Sequence, residues 1–321
     1  MNRQNWINKF DYFFVTRPML FFPGWNTLLA GYLSAKGETD WVTQFSHGDY
    51  TLYFWEPIAF LAMLAFALAM GASFILNQLQ DTESDRKNRK LFLIDEQSIH
   101  PGTALRESII LAIGSILLSI FLGRSIFLLL IFFMFITGYL YNYPPFQFKN
   151  KPAGGLVLNA LMGWIAFALG WVLVLPMSGN FWLVCLPYLF LNTALYLLTT
   201  IPDAPGDLSS GKVTFCVRFG LKSTVWSAFS LYLMSFFLAV INKDQIVLTV
   251  NILILFFMLR LIFSSQASHA IQSIKMAIFF FSVIICIKFP LYFLPMVVIF
   301  FLTRYYYQHR FQFDYPNFRG E

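Results

Sequence analysis

Apolar residues come in long blocks separated by short polar breaks. The blocks lie near 19–35, 55–79, 107–123, 125–142, 154–175, 181–200, 222–241, 245–264, 272–288 and 290–307. Each approaches the roughly 20 residues that carry an α-helix across a bilayer. The last two meet at Pro290, which either divides two spans or kinks one long helix. The pattern therefore predicts an all-α fold, a polytopic transmembrane helical bundle of nine or ten spans. No linker or shift in composition marks a boundary, so residues 1–321 read as a single integral-membrane domain.

Composition agrees. The chain is 58% hydrophobic and 12% charged, against about 25% charged in a soluble domain. The opening MNRQNWINKFDYF has neither an apolar signal core nor a small-residue cleavage site, so the first block is expected to be a retained span. The net charge of +6 follows from topology rather than from nucleic-acid binding, for which no soluble module exists. With the N-terminus in the cytoplasm and ten alternating spans, only Lys36, Arg124, Lys243 and Lys288 of the 22 Lys and Arg fall outside. That is a strong positive-inside bias. Cys185, Cys216 and Cys286 are scattered, as are the four histidines, and they form no zinc or haem motif. The aromatic, basic C-terminal tail reads as an interfacial anchor.

Two acidic clusters stand out at the ends of apolar blocks. Asn77, Asp81 and Asp85 are spaced four apart in ILNQLQDTESDRKNRK, which places them along one helix face. Asp203 and Asp207 repeat the step in TTIPDAPGDLSSGK, where Pro202, Pro205 and Gly206 predict a helix that ends or breaks. A carboxylate at the centre of a membrane helix costs about 2.5–3.5 kcal/mol, so two such clusters suggest function. On the topology above, both face the cytoplasm, as does the loop YNYPPFQFKNKP. Carboxylate and amide oxygens suit Mg²⁺, which binds through one or two carboxylates plus substrate phosphates. Clusters on two helices could then clamp a diphosphate through Mg²⁺. Arg17, Arg86, Lys90 and Lys212 lie beside them and would stabilise the charge of a departing diphosphate. Tyr139, Tyr141, Tyr143 and Tyr196, near the same mouth, are the candidate aromatics of the site.

NQLQDTESD resembles the NxxxDxxxD motif of the UbiA superfamily of intramembrane prenyltransferases, and IPDAPGDLSSGKVTFCVRFG resembles its second, DxxxD motif. YNYPPFQFKNK is similar to the family's Tyr-x-x-Pro-Pro segment, and the first span is similar to its first helix. The likeness runs in order over about residues 10–290. The resemblance implies a helical bundle around a central cavity. It implies that Asn77, Asp81, Asp85, Asp203 and Asp207 hold Mg²⁺ and an isoprenyl diphosphate, with Arg17, Lys90 and Lys212 as diphosphate contacts. The implied reaction ionises an allylic diphosphate and lets a small lipophilic or aromatic acceptor attack the cation. The expected setting is a bacterial or archaeal cell membrane, with membrane lipid around the bundle and the active site facing the cytoplasm. Thr199 and Thr200 stand where many members carry a Lys-Asp pair.

Three other readings stay open at this level. A terpene cyclase of the same superfamily would need no acceptor. A transporter would use the carboxylates as an ion relay, although such a relay needs ionisable groups through the bilayer depth and these blocks hold few. A catalytically inactive relative would keep the fold alone.

Overall fold

The computed structural model describes residues 7–41, 56–87, 93–94 and 98–319, and among them helix is the only regular structure. A single turn, α1 (Asp11–Phe14), precedes α2 (Phe21–Lys36), α3 (Pro57–Lys87), α4 (Pro101–Leu122), α5 (Arg124–Met134) and α6 (Pro152–Trp171). There follow α7 (Gly179–Ser209), α8 (Phe215–Ile241), α9 (Gln245–Ser264), α10 (Ala267–Lys288) and α11 (Phe293–Phe311). Helices α2 to α11 fall on the ten apolar blocks in order. Seven of them, α3, α4 and α6 to α10, are long and apolar enough to cross a membrane. Pro290 divides the last two blocks: α10 stops at Lys288 and a 3-10 turn, Pro290–Tyr292, leads into α11.

Local chemistry sets many of the boundaries. Pro101 and Pro152 open α4 and α6, where their fixed φ is helical and no amide is missed. Asp244 caps α9 by accepting from the amides of Ile246 and Val247. Inside α8, Gly220 takes φ 79° and ψ 165°. That break gives α8 a short leading turn before the apolar span.

The two helices with acidic clusters are each 31 residues long. At 1.5 Å per residue each measures about 46 Å, against roughly 30 Å of hydrocarbon. One end of each therefore stands outside the apolar layer, where a carboxylate is cheap to hold. The expected end or break near Pro202 does not occur, because α7 continues through Pro202, Pro205 and Gly206 to Ser209. Proline's φ is compatible with helix, and in membrane helices neighbouring groups compensate the lost amides.

Small residues bring the helices together. A Cβ on Gly31 would stand 2.1 Å from the Phe167 carbonyl oxygen, and one on Gly170 would stand 1.8 Å from that of Leu28. Helices α2 and α6 thus touch backbone to backbone, as glycine permits. Polar side chains inside the bundle are satisfied by other helices. Trp25 Nε1 donates to the Met63 carbonyl at 2.9 Å, and Asn26 Nδ2 donates to Ser282 Oγ at 2.9 Å. Helix α3 is central, with 67% of its apolar window buried against 17% for α4. The outer face of α4 (Ile110 and Phe121 among others) is exposed and suits lipid. At the end remote from the acidic clusters, Lys36 pairs with Glu56 at 2.7 Å and Lys288 Nζ donates to the Asp40 carbonyl at 2.6 Å.

Candidate active site

The acidic face of α3 and the last turns of α7 line one cavity of about 480 Å³. Asn77, Asp81, Asp85, Asp203 and Asp207 all border it, together with Arg17, Lys149 and Lys212. Phe66, Met70, Phe133, Met162 and Ile278 give its apolar lining. The four-residue step on α3 and the continuity of α7 therefore do what a broken helix would not: they turn both clusters into a single volume.

Cations meet the α3 carboxylates directly. Lys149 Nζ donates to Asp81 Oδ1 at 2.8 Å, to Asn142 Oδ1 at 3.0 Å and more weakly toward Asn77 Oδ1 at 3.5 Å. Three oxygens answer the three donors of one ammonium, which is how a lysine only 7% exposed is accommodated. Burial pushes the Lys149 ammonium below its ordinary value, and the Asp81 charge beside it works the other way. Lys212 Nζ bonds the same Asp81 Oδ1. Its backbone amide also donates to the Asp207 carbonyl at 2.9 Å, so the end of α7 holds it there. Arg17 donates to Asp85 Oδ2 at 3.2 Å.

Local backbone irregularities aim these groups. Helix α5 runs into a π-helical turn, Phe135–Leu140, whose widened loop is closed by the Tyr141 amide on the Ile136 carbonyl. Asn142 Nδ2 donates to the Thr137 carbonyl at 2.6 Å, which fixes the amide whose oxygen receives Lys149. Such turns are frequent at functional sites. Gln147, with φ 38°, turns the chain left-handed into the short 3-10 turn carrying Lys149. Arg17 is also left-handed, φ 53° and ψ 59°. That conformation costs an L-residue roughly 1–2 kcal/mol, and strain of this kind gathers at working sites.

Helix order, cavity and paired clusters are those of the resemblance above, and over residues 25–285 the chain matches the UbiA prenyltransferase family. The chain belongs to that family. A UbiA homologue from Archaeoglobus fulgidus superposes with a TM-score of 0.65 at 21% identity, covering 89% of this chain and 99% of that one. The same homologue bound to DMAPP and Mg²⁺ gives 0.64 over 90% of this chain and 99% of that one. At those identities the likeness speaks for the fold. Among curated proteins, the Sulfolobus acidocaldarius digeranylgeranylglyceryl phosphate synthase is 27% identical over 54% of this chain and 62% of its own length. The Humulus lupulus 2-acyl-4-prenylphloroglucinol 6-prenyltransferase is 28% identical over 51% of this chain and 43% of its own length. The matched regions thus span less than two thirds of these relatives. As a family member with seven helices able to cross a membrane, the protein is an integral membrane protein.

In this UbiA-family chain, the sequence-predicted residues divide by position. The five cluster residues, Arg17, Lys212, Tyr141 and Tyr196 line the cavity. Tyr143 and Tyr139 are not among its lining residues; Tyr139 is exposed and packs edge-on against Phe146. Tyr143 is half-buried in the turn that follows Tyr141 and Asn142, its amide donating to the Tyr139 carbonyl at 2.9 Å. Lys90 and the side chain of Arg86 lie outside the described residues. Sequence reasoning missed Lys149, Asn142, Asn159 and Asn192, all in the lining. The signal for Lys149 was present: it sits in the YNYPPFQFKNK segment, on the side of the membrane assigned to both acidic clusters. The asparagines lie inside or beside apolar blocks, where a single amide gives no pattern.

Proposed function

We propose that this protein transfers a polyprenyl group from an isoprenyl diphosphate to a small lipophilic or aromatic acceptor, with Mg²⁺, at the cytoplasmic face of a membrane. The observation that carries this reading is the shared cavity. Two carboxylate clusters from α3 and α7 border it, three cations stand at the α3 carboxylates, and apolar side chains line the remainder. The names of the two curated relatives, and the DMAPP and Mg²⁺ bound by the Archaeoglobus homologue, support the same chemistry.

The donor set fits a metal that arrives with its substrate. Among the described residues, no three His, Cys, Asp or Glu side chains form a ready ligand cage. Mg²⁺ needs none, since it keeps several waters and binds through one or two carboxylates plus phosphate oxygens. Asn77, Asp81, Asp85, Asp203 and Asp207 would supply the protein oxygens, and the metal would neutralise diphosphate charge there. Lys149, Lys212 and Arg17 would hold the phosphate oxygens. As the allylic C–O bond breaks, its electron pair stays on the departing diphosphate oxygen, and these cations stabilise the charge that develops there. The apolar lining keeps water from the allylic cation, and the rings of Tyr141 and Tyr196 offer it π-faces. The acceptor's electron pair then forms the new bond, and a proton is lost when the attacking atom is a ring carbon.

The test is incubation of detergent-purified protein with Mg²⁺ and radiolabelled geranylgeranyl diphosphate against a panel of acceptors. The panel spans homogentisate, hydroxybenzoate, dihydroxynaphthoate, chlorophyllide and geranylgeranylglyceryl phosphate. A prenylated product with one acceptor, abolished by chelation and restored by added Mg²⁺, is the expected result. Labelled hydrocarbon without any acceptor would replace this reading with a cyclase. Turnover that survives chelation would remove the metal from it.

A further inference from the structure

Helix α11 begins beyond residues 25–285, over which the chain matches its family. Its last turns nevertheless reach back to the segment ahead of α2. Asp11 is 2% exposed. Its Oδ1 accepts from the Tyr306 hydroxyl at 2.6 Å and from Arg310 Nε at 3.2 Å, and its Oδ2 accepts from a terminal nitrogen of Arg310 at 3.2 Å. This is a fork contact with a third donor added. One turn on, the Phe14 ring stacks on Tyr306 with centroids 3.9 Å apart. Phe14, Val15 and Tyr306 join Ile75, Leu93 and Ile94 in a small core separate from that of the main bundle.

Arg17 follows three residues after Phe14, and its amide donates to the Phe14 carbonyl at 3.0 Å. The Val15 carbonyl accepts from Gln78 Nε2 at 2.8 Å, and Gln78 is the chain neighbour of Asn77. Segment 11–17 is therefore pinned by α11 at one end, by Gln78 in the middle and by Asp85 at Arg17. A buried ion pair adds little net stability over an apolar replacement; in the better-attested cases it selects one arrangement. Here the arrangement selected is the one that aims a strained, left-handed arginine into the cavity.

We propose that Asp11, Tyr306 and Arg310 form a latch through which the C-terminal helix positions Arg17 for the diphosphate, making all three positioning residues for the reaction. This rests on the function proposed above. Arg17 is the group that would touch phosphate, and the latch acts only through it.

The experiment is a double-mutant cycle read by the Kd of a non-hydrolysable allylic thiodiphosphate with Mg²⁺. Arg310→Gln is expected to weaken binding about tenfold in the wild-type background, and less than about twofold once Arg17→Ala is present. Arg310→Lys should recover part of the loss. Tyr306→Phe, which keeps the stacked ring and removes one hydrogen bond, should show the same dependence on Arg17 with a smaller effect, and it serves if Arg310→Gln does not fold. Equal losses in both backgrounds would mean a general structural role and would overturn the latch, as would unchanged binding in Arg310→Gln. Failure of the wild-type protein to bind the thiodiphosphate would instead sink the diphosphate reading, and the latch with it.

Discussion

Asp203→Ala is expected to lower turnover by at least about 10²–10³-fold, the range found for losing one group that stabilises transition-state charge. The helical bundle should stay intact. Asp203 lies on the cavity wall in the last turns of α7, partly accessible, so removing it would delete a proposed metal ligand without opening the core. Asp81→Ala should abolish turnover too, but it is the less clean experiment. Asp81 Oδ1 receives both Lys149 and Lys212. Its loss would leave two ammonium groups side by side, one of them buried. Stranding one partner of a buried pair destabilises by about 3–5 kcal/mol. Turnover, circular dichroism and size-exclusion elution in detergent, measured on both variants, separate the two effects. Asp203→Ala should lose activity at unchanged helicity, whereas Asp81→Ala should lose activity and thermal stability together. Near-wild-type turnover of Asp203→Ala at saturating Mg²⁺ would contradict the assignment of α7 to the site.

Gly170→Ala is expected to be the most damaging single-methyl change in the bundle. The added carbon would lie 1.8 Å from the Leu28 carbonyl oxygen and 2.7 Å from the Tyr32 amide nitrogen. Both obstacles are backbone, so no side chain can rotate out of the way, and α2 and α6 must separate. Overpacking typically costs about 1–3 kcal/mol, occasionally more, and a backbone obstacle places this site at the upper end. Because α2 carries Gly24 and Thr27 while α6 carries Asn159 and Gly163 on the cavity wall, the separation should also lower activity. Gly114→Ala is the matched control, since its new carbon would meet only Leu68 Cδ1 at 3.4 Å, an ordinary contact. Thermal unfolding in detergent should show a clear fall in Tm for Gly170→Ala and almost none for Gly114→Ala. Equal Tm values for the two would disprove the backbone contact.

The sequence by itself determined the order of the apolar helices and their number to within one, because burial in lipid is a local demand. Each block must supply about 20 apolar residues and satisfy its own backbone, and that demand is written in consecutive positions. The i, i+4, i+8 step likewise determined that Asn77, Asp81 and Asp85 share a face, since helical geometry is also local. Pro290 showed where an end could fall, but the end itself came from the fold. Pro202 and Pro205 carried the opposite hint to the outcome. Their intrinsic cost argued for a break, and the packed bundle around α7 overrode it. Tertiary structure alone decided which groups meet. Asp81 is 68 residues from Lys149 and 131 from Lys212, and Asp11 is 299 from Arg310. No periodicity relates such positions. Ion pairing of this kind depends on where whole helices dock, on a left-handed turn at Arg17 and on a π-helical turn before Asn142. These features are held in place by packing rather than by the residues that adopt them.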